Sequence, residues 1–281
     1  MLFIHWNIDP VMLQLGSFGL RYYSLGFLLA FVLGYVIMYK MFKREKVDVN
    51  YLDNFVIYMF LAVLVGARLG HCLFYEPDYF LTSEHWLEII LPINIATGQF
   101  TGYQGLASHG AALGILLALW LFWRRKRMNP FWLVDRLVIV IALGGAFVRL
   151  GNLFNSEIYG VETTLPWGFI FERNGETLPK HPTQLYEALS YLLIFAVAYI
   201  VYLRKKKPLR TGVLFGWWLI ALFGVRLLIE FVKEEQVDFE QGMALDMGQI
   251  LSLPFIALGI AMLILGYNNK LPNQPLLEKK K

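Results

Sequence analysis

Seven apolar runs, each of about 20 residues and so long enough to cross a bilayer as a helix, recur along the chain, and five arginines (Arg21, Arg68, Arg136, Arg149 and Arg226) stand inside them. A guanidinium at bilayer depth costs roughly 2.5–3.5 kcal/mol even on the most lenient insertion scale, so each needs a partner or a task. Acidic residues follow two of the five within one or two turns, Glu157 after Arg149 and Glu230 after Arg226. A membrane protein that keeps fixed positive charge at depth is suited to hold an anion there, and phosphate is the anion that membranes supply in quantity.

The sequence is 57% hydrophobic and 16% charged, against about 25% charged residues in water-soluble domains. It therefore predicts an all-α polytopic membrane protein forming one integral domain over 1–281. Seven spans are expected at 18–39, 52–75, 106–123, 132–150, 184–203, 212–232 and 247–267. No basic region precedes the first apolar run, which argues against a cleavable leader and makes the first helix the export signal. Lys and Arg cluster after the first span (Lys40, Lys43, Arg44, Lys46), the third (Arg124, Arg125, Lys126, Arg127), the fifth (Arg204, Lys205, Lys206, Lys207, Arg210) and the seventh (Lys270, Lys279, Lys280, Lys281). Basic loops stay in the cytoplasm, so the N-terminus is placed outside and the C-terminus inside. The opposite side carries only Arg173, Lys180 and Lys233. Its loops are long, and the polar stretch 151–183 is expected to fold as a small extracytoplasmic head between the fourth and fifth spans. The net charge of +4 resides in the membrane-flanking clusters and is no sign of nucleic-acid binding. Cys72 is the sole cysteine, which excludes an internal disulfide and a cysteine-based metal site.

The densest polar run at the outer end of a span is Arg149-Leu-Gly-Asn-Leu-Phe-Asn-Ser-Glu-Ile-Tyr-Gly160. Arg149, Asn152 and Asn155 recur every third residue and would share a helix face, with Glu157 just beyond. A snorkelling arginine before a hydrophilic turn would explain Arg149 alone, but it does not explain the Arg, two Asn and Glu together. Arg226 and Glu230 are an i, i+4 pair suited to a mutual ion pair, although Arg-before-Glu is the less favourable order. His109 lies at the outer start of the third span beside Gly110; an imidazole can accept a proton near neutral pH, although a lone His is more often structural. Arg68 and His71 near the outer end of the second span fit either a functional or a structural role. Tyr22 and Tyr23 most simply join an interfacial aromatic belt, His181-Pro-Thr-Gln-Leu-Tyr-Glu187 most simply starts a helix, and Arg136 reads as an anchor snorkelling to the cytoplasmic surface. No serine-nucleophile spacing, phosphate-cradling glycine loop or zinc pattern is present.

At these residues the chain resembles the bacterial prolipoprotein diacylglyceryl transferases. The likeness rests on the run 149–160 and, in order, on Arg21-Tyr-Tyr23, Gly66-Ala-Arg-Leu-Gly70, Ser108-His-Gly110, His181-Pro-Thr-Gln-Leu-Tyr-Glu187, Arg226-Leu-Leu-Ile-Glu230 and Met247-Gly-Gln-Ile-Leu-Ser252. One departure is the lead-in 98–108, longer than in the better-known members and followed by Gly-Ala-Ala after His109. The resemblance implies seven spans in the bacterial cytoplasmic (inner) membrane. It also implies transfer of the diacylglyceryl group of phosphatidylglycerol onto the lipobox cysteine thiol of prolipoproteins, with release of glycerol phosphate. Carried over residue by residue, it marks Tyr23, His109, Arg149, Asn152, Glu157, Gly160, Arg226 and Glu230. In that reading His109 is the base for the thiol, Arg149 and Arg226 grip the phosphate, and Asn152 orients the headgroup. Glu157 and Glu230 hold the guanidiniums, Gly160 supplies a turn, and Arg68 adds to the phosphatidylglycerol site. No metal or cofactor is called for, because the phosphodiester already activates the lipid. Two rivals fit some of the same residues. A seven-span anion transporter or receptor would place its site near mid-membrane, and an intramembrane protease would need a Ser/His or paired-Asp arrangement that the sequence lacks.

Overall fold

The computed structural model of the protein describes residues 3–15, 18–82, 84–91, 93–95, 97–99, 107–205, 209–234 and 245–277. Residues 101–106 of the lead-in to His109 lie outside the described residues, as do Lys206, Lys207 and Lys279 to Lys281 of the basic clusters. The described elements run β1 (Ile4–Trp6), β2 (Val11–Leu15), β3 (Phe18–Arg21), α1 (Tyr22–Arg44), α2 (Asn50–Phe74), α3 (Pro77–Phe80), α4 (Ser108–Lys126), α5 (Pro130–Phe154), β4 (Phe169–Phe171), α6 (Thr183–Arg204), α7 (Val213–Glu230) and α8 (Met247–Tyr267). Six of these helices, α1, α2, α5, α6, α7 and α8, are long and apolar enough to cross a membrane. Only with internally satisfied backbones can such segments lie in lipid. Their outward faces are oily, with Phe27, Phe60, Leu193, Leu228 and Ile264 each more than half exposed.

Six of the seven expected spans meet this measure of length and apolarity, and the start of one of them is corrected. The third expected span corresponds to α4, but that helix starts at Ser108 and His109 and ends in Arg124, Arg125 and Lys126. Its apolar middle is correspondingly short, and it is not among the six. The first expected span, 18–39, begins too early: Phe18–Arg21 is a strand paired antiparallel with Val11–Leu15, and the helix starts at Tyr22. Arg21 is thus an exposed strand residue rather than a charge within a helix.

The chain gathers into two units, residues 1–41 with 131–273, and residues 42–130 with 274–281. In the first, α5 is the most buried helix. Its beginning holds a polar lock: the fully buried Asp135 accepts hydrogen bonds from the backbone N–H groups of Gly212 (2.7 Å) and Phe215 (2.8 Å), satisfying donors that the start of α7 leaves open. Arg136 does not snorkel. It is 2% exposed, lies 4.2 Å over the Trp132 ring and donates to the Trp132 carbonyl. At the other end of α5, β1 pairs in parallel with β4. Leu153, Phe169 and Phe171 make a small core with Trp6, Tyr159 and Leu185 packed on it, and the Trp6 indole donates to the Leu153 carbonyl at 3.0 Å. The segment after α5 is therefore clamped onto the helix end by the chain's own N-terminal strand.

In the second unit α2 packs closely on α4. A Cβ at Gly110 would strike the Gly66 carbonyl and stand 2.8 Å from the Gly70 Cα, so side chains there would force the helices apart. Cys72 is buried, as expected of a small filler. The loop after α2 folds over that helix and is held by Glu88. Its carboxylate accepts from the Ile95 backbone N–H (2.9 Å) and the Tyr79 hydroxyl (3.0 Å) and lies 3.1 Å from His85 Nδ1. The hydrogen bond from Ile95 is the main reason the Glu88 carboxyl sits below its ordinary pKa.

Candidate active site

The site grows from the way α5 ends. After Phe154 the chain turns through Ser156 at φ 56° and Ile158 at φ 60°, left-handed values that cost about 1–3 kcal/mol each for such residues unless the surroundings enforce them. The surroundings do so here: the Gln184 amide donates to the Glu157 carbonyl at 2.7 Å, and the Thr183 hydroxyl donates to the Ile158 carbonyl at 2.9 Å. Both side chains are fully buried. The turn carries the Glu157 carboxylate back to α5, where Oε1 accepts from the amides of Asn152 (2.7 Å) and Asn155 (3.1 Å). Asn152 Oδ1 in turn accepts from Arg149 Nη1 at 3.3 Å, as the three-residue spacing predicts.

Arg149 takes its counter-charge from α6. Its Nε stands 2.6 Å from Glu187 Oε2, and the other Glu187 oxygen is 3.5 Å from the Lys233 ammonium. Lys233 is also 3.3 Å from Glu230. Glu187 is completely buried. Its contacts are ion pairs rather than aligned hydrogen bonds, since neither oxygen receives one among the described residues. Tyr191 lies one turn along α6 from Glu187 and is buried. Its ring packs 3.1 Å from where a Cβ on Gly145 would stand, which is why α5 carries a small residue there. Arg226 has no ion-pair partner among the described residues.

Gly160 fixes the outer wall. The chain at 160–161 runs between two neighbours, with Gly160 N–H donating to the His181 carbonyl (2.8 Å) and Val161 N–H to the Val232 carbonyl (3.0 Å), and Gly160 itself bridges to Lys233. A Cβ on Gly160 would collide with the Val232 carbonyl and come within 2.8 Å of His181 and Thr183. The need there is close approach, not the turn expected from the sequence. On another side, the Tyr23 ring lies against Gly151 while Tyr22 stacks on Phe154 with centroids 4.3 Å apart. The start of α1 thus covers the same stretch of α5. The Glu230 carboxyl rests on α8, within 2.5 Å of where a Cβ on Gly248 would be.

Comparison with known proteins decides what this constellation belongs to. The sequence model of the prolipoprotein diacylglyceryl transferases matches residues 10–265. The chain belongs to the prolipoprotein diacylglyceryl transferase family. It is similar to the phosphatidylglycerol–prolipoprotein diacylglyceryl transferase of Bacteroides fragilis, 43% identical over 263 residues that cover 92% of this chain and 94% of that protein. It is likewise similar to those of Tolumonas auensis, 44% identical over 95% of this chain and 99% of that protein, and Chloroherpeton thalassium, 41% identical over 93% of each.

Within this transferase-family chain, Tyr23, Arg149, Asn152, Glu157, Gly160, Arg226 and Glu230 all belong to the first unit, and the contacts above link all of them but Arg226. His109 and Arg68 belong to the second unit. His109 is exposed in the first turn of α4. Arg68 is 6% exposed and turned to the loop above α2, donating to the carbonyls of Glu88 (2.6 Å) and Ile89 (3.2 Å) with its guanidinium 4.7 Å over Phe80. That geometry assigns Arg68 the task of holding the loop.

The counter-ions differ from those expected. Glu157 meets asparagine amides rather than a guanidinium, Glu230 meets Lys233 rather than Arg226, and Glu187 meets Arg149. Glu187, Tyr191, Lys233, Thr183 and Gln184 are absent from the set read out of the sequence. A usable signal existed for Glu187: an acid in the first turns of an apolar span is as costly as an arginine there. Outside the helices, Lys180 ties the segment between α5 and α6 to the chain after α7. Burial opposes its charge, but Glu234 at 2.6 Å, with Glu176 and Glu162, outweighs burial and raises its pKa.

Proposed function

We propose that this chain transfers the diacylglyceryl group of phosphatidylglycerol to the lipobox cysteine of prolipoproteins. Family membership supports the reaction class, and the names of the relatives at 41–44% identity supply the two substrates. The observation that carries the reading is the pair of arginines on apolar helices: Arg149 on α5, set by Glu187 and Asn152, and Arg226 on α7, one turn before the buried Glu230 and without an ion pair among the described residues. Two guanidiniums so disposed suit a phosphate that gains charge as it leaves.

In this reading the substrate thiol attacks the glyceryl carbon bonded to the phosphate oxygen. The C–S bond forms, the C–O bond breaks, and the thiol proton passes to His109. Glycerol phosphate departs with its oxygens on Arg149 and Arg226, held by charge-assisted hydrogen bonds whose strength grows in a water-poor site. Asn152 orients the headgroup from the position that Glu157 fixes, and Tyr23 closes the side over Gly151. Both substrates arrive laterally from the bilayer. The seventh span is α4, the segment between α5 and α6 is the extracytoplasmic head, and the basic clusters set the N-terminus outside and the C-terminus in the cytoplasm of a bacterial inner membrane.

The test is a gel-shift assay with purified protein, phosphatidylglycerol vesicles and a fluorescent lipobox peptide. A phosphatidylglycerol-dependent shift, absent when the peptide cysteine is serine, is expected. Anion uptake into vesicles without any shifted peptide would replace the transferase reading with a transporter.

A further inference from the structure

The sequence marks Lys233 only as one of a few basic residues outside the spans, yet it is one of the most enclosed cations in the described chain. Its side chain is 4% exposed, 3.5 Å from Glu187 and 3.3 Å from Glu230. A lysine beyond a helix end ordinarily snorkels towards water. This one is prevented from doing so by its backbone, which bridges Gly160 while Val232 accepts from Val161 and Glu234 donates to Tyr159. The fold therefore spends close-fitting backbone contacts to keep an ammonium between two buried carboxylates.

Resting on the transferase reading, we infer that Lys233 is a positioning residue that takes over Glu187 when Arg149 turns to the lipid phosphate. Arg149 Nε is 2.6 Å from Glu187 Oε2 and its Nη1 donates to Asn152, so an arriving phosphodiester competes with Glu187 for the same guanidinium. A buried carboxylate stripped of its cation is strongly unfavourable. Lys233 already stands beside the opposite Glu187 oxygen, and Glu187 receives no aligned hydrogen bond that would lock it to Arg149. A small shift of the Glu187 carboxylate towards Lys233 frees the guanidinium fork without leaving negative charge unpaired. Glu230 completes the balance by holding the ammonium from the far side. No covalent step involves Lys233. Its effect is on admission of the anion, which places it in KM rather than in the chemical step.

The experiment measures kcat and KM for phosphatidylglycerol in wild type, Lys233→Met and Lys233→Arg, with melting temperatures alongside. The expected result is a rise in KM of about ten-fold or more for Lys233→Met, equivalent to 1.4 kcal/mol, with kcat changed far less and near-complete recovery of KM in Lys233→Arg. An unchanged KM in Lys233→Met, or a loss confined to kcat, overturns the role. So does a Lys233→Arg protein that melts like wild type but binds lipid as poorly as Lys233→Met. If Lys233→Met does not fold, Lys233→Gln is read in its place by the same criteria. Wild-type turnover in the same assay judges the transferase reading separately. Should wild type form no thioether, the Lys233 role is still decided by thermal shift on adding phosphatidylglycerol, which wild type must show and Lys233→Met must show only at higher lipid concentration.

Discussion

Glu187 Oε2 on α6 stands 2.6 Å from Arg149 Nε on α5, and this pair, not the one formed by neighbours in sequence, sets the orientation of the site's first guanidinium. With Nε facing Glu187 and Nη1 facing Asn152, the remaining donors of the fork are aimed by two independent contacts. Lysine keeps the charge but offers one point donor, without the planar fork that can hold Asn152 and grip a phosphate bidentately. Arg149→Lys should therefore lower kcat/KM by about 10²-fold, equivalent to roughly 2.7 kcal/mol of transition-state stabilisation. The check is steady-state kinetics with phosphatidylglycerol and a lipobox peptide, at unchanged melting temperature. Turnover equal to wild type removes Arg149 from the machinery.

Gly160 offers a stability test that also reads the site. Because its missing Cβ makes room for the Val232 carbonyl, Gly160→Ala overpacks a backbone contact. Overpacking typically costs about 1–3 kcal/mol, worth about 2–4 °C of melting temperature per kcal/mol in a chain of this size. The same displacement moves Lys233, so activity should fall further than the melting temperature alone explains. Differential scanning fluorimetry in detergent together with the gel-shift assay checks both. A variant that melts and turns over as wild type does would mean that the 160–233 bridge is not needed.

What the sequence makes legible follows from the range over which each rule acts. Span positions are readable because lipid forces every backbone group to bond within its own helix, and length and apolarity alone then locate α2, α5, α6, α7 and α8 to within a few residues. The start of α1 is missed because Phe18–Arg21 is apolar enough to pass for helix, while its strand partner, Val11–Leu15, is visible only as a pairing. The arginines stand out because burial of charge is costly wherever it occurs. Their partners do not, because local spacing favours Glu230 for Arg226, whereas the fold delivers Lys233 to Glu230 and brings Glu187 to Arg149 from another helix. The motif at 181–187 reads as a helix start and is one; only the folded turn at Ser156 and Ile158 reveals why Thr183 and Gln184 must cap carbonyls there.

The segment between α5 and α6 supplies a pH dependence of definite sign. Burial lowers the pKa of His181 from its ordinary value of 6.5, and its Nδ1 lies 3.2 Å from the Tyr186 hydroxyl, which also accepts from the Trp167 indole. The folded-state pKa is below the unfolded one, so between the two values the unfolded chain binds more protons and stability rises with pH. The contribution is complete above about pH 6.5 and is lost as pH falls through that value towards the folded pKa. Melting temperatures across this window should drop more for wild type than for His181→Gln. Parallel curves for the two proteins would show that the imidazole stays charged or neutral in both states alike.

The proposed reaction assigns proton removal to His109. A cysteine thiol has an ordinary pKa near 8.5, so at neutral pH a small fraction of the peptide is thiolate, and a base within reach raises the reactive fraction. His109 lies in the first turn of α4, exposed, with no hydrogen-bond partner for its ring among the described residues, as a group that must receive a proton from an incoming substrate requires. Substitution by Gln keeps a polar side chain of similar reach but cannot carry the proton. His109→Gln should therefore retain phosphatidylglycerol-induced thermal stabilisation while losing about 10²–10⁴-fold in transfer rate near pH 7, the usual worth of a positioned base. The residual rate should then climb as the medium rises towards the thiol's own pKa, because hydroxide takes over the missing function, whereas wild type gains little over the same range. Rates measured across that range with the fluorescent peptide separate the two behaviours. A His109→Gln enzyme with a near wild-type rate at neutral pH, or one whose deficit does not shrink with rising pH, would leave the proton to another group.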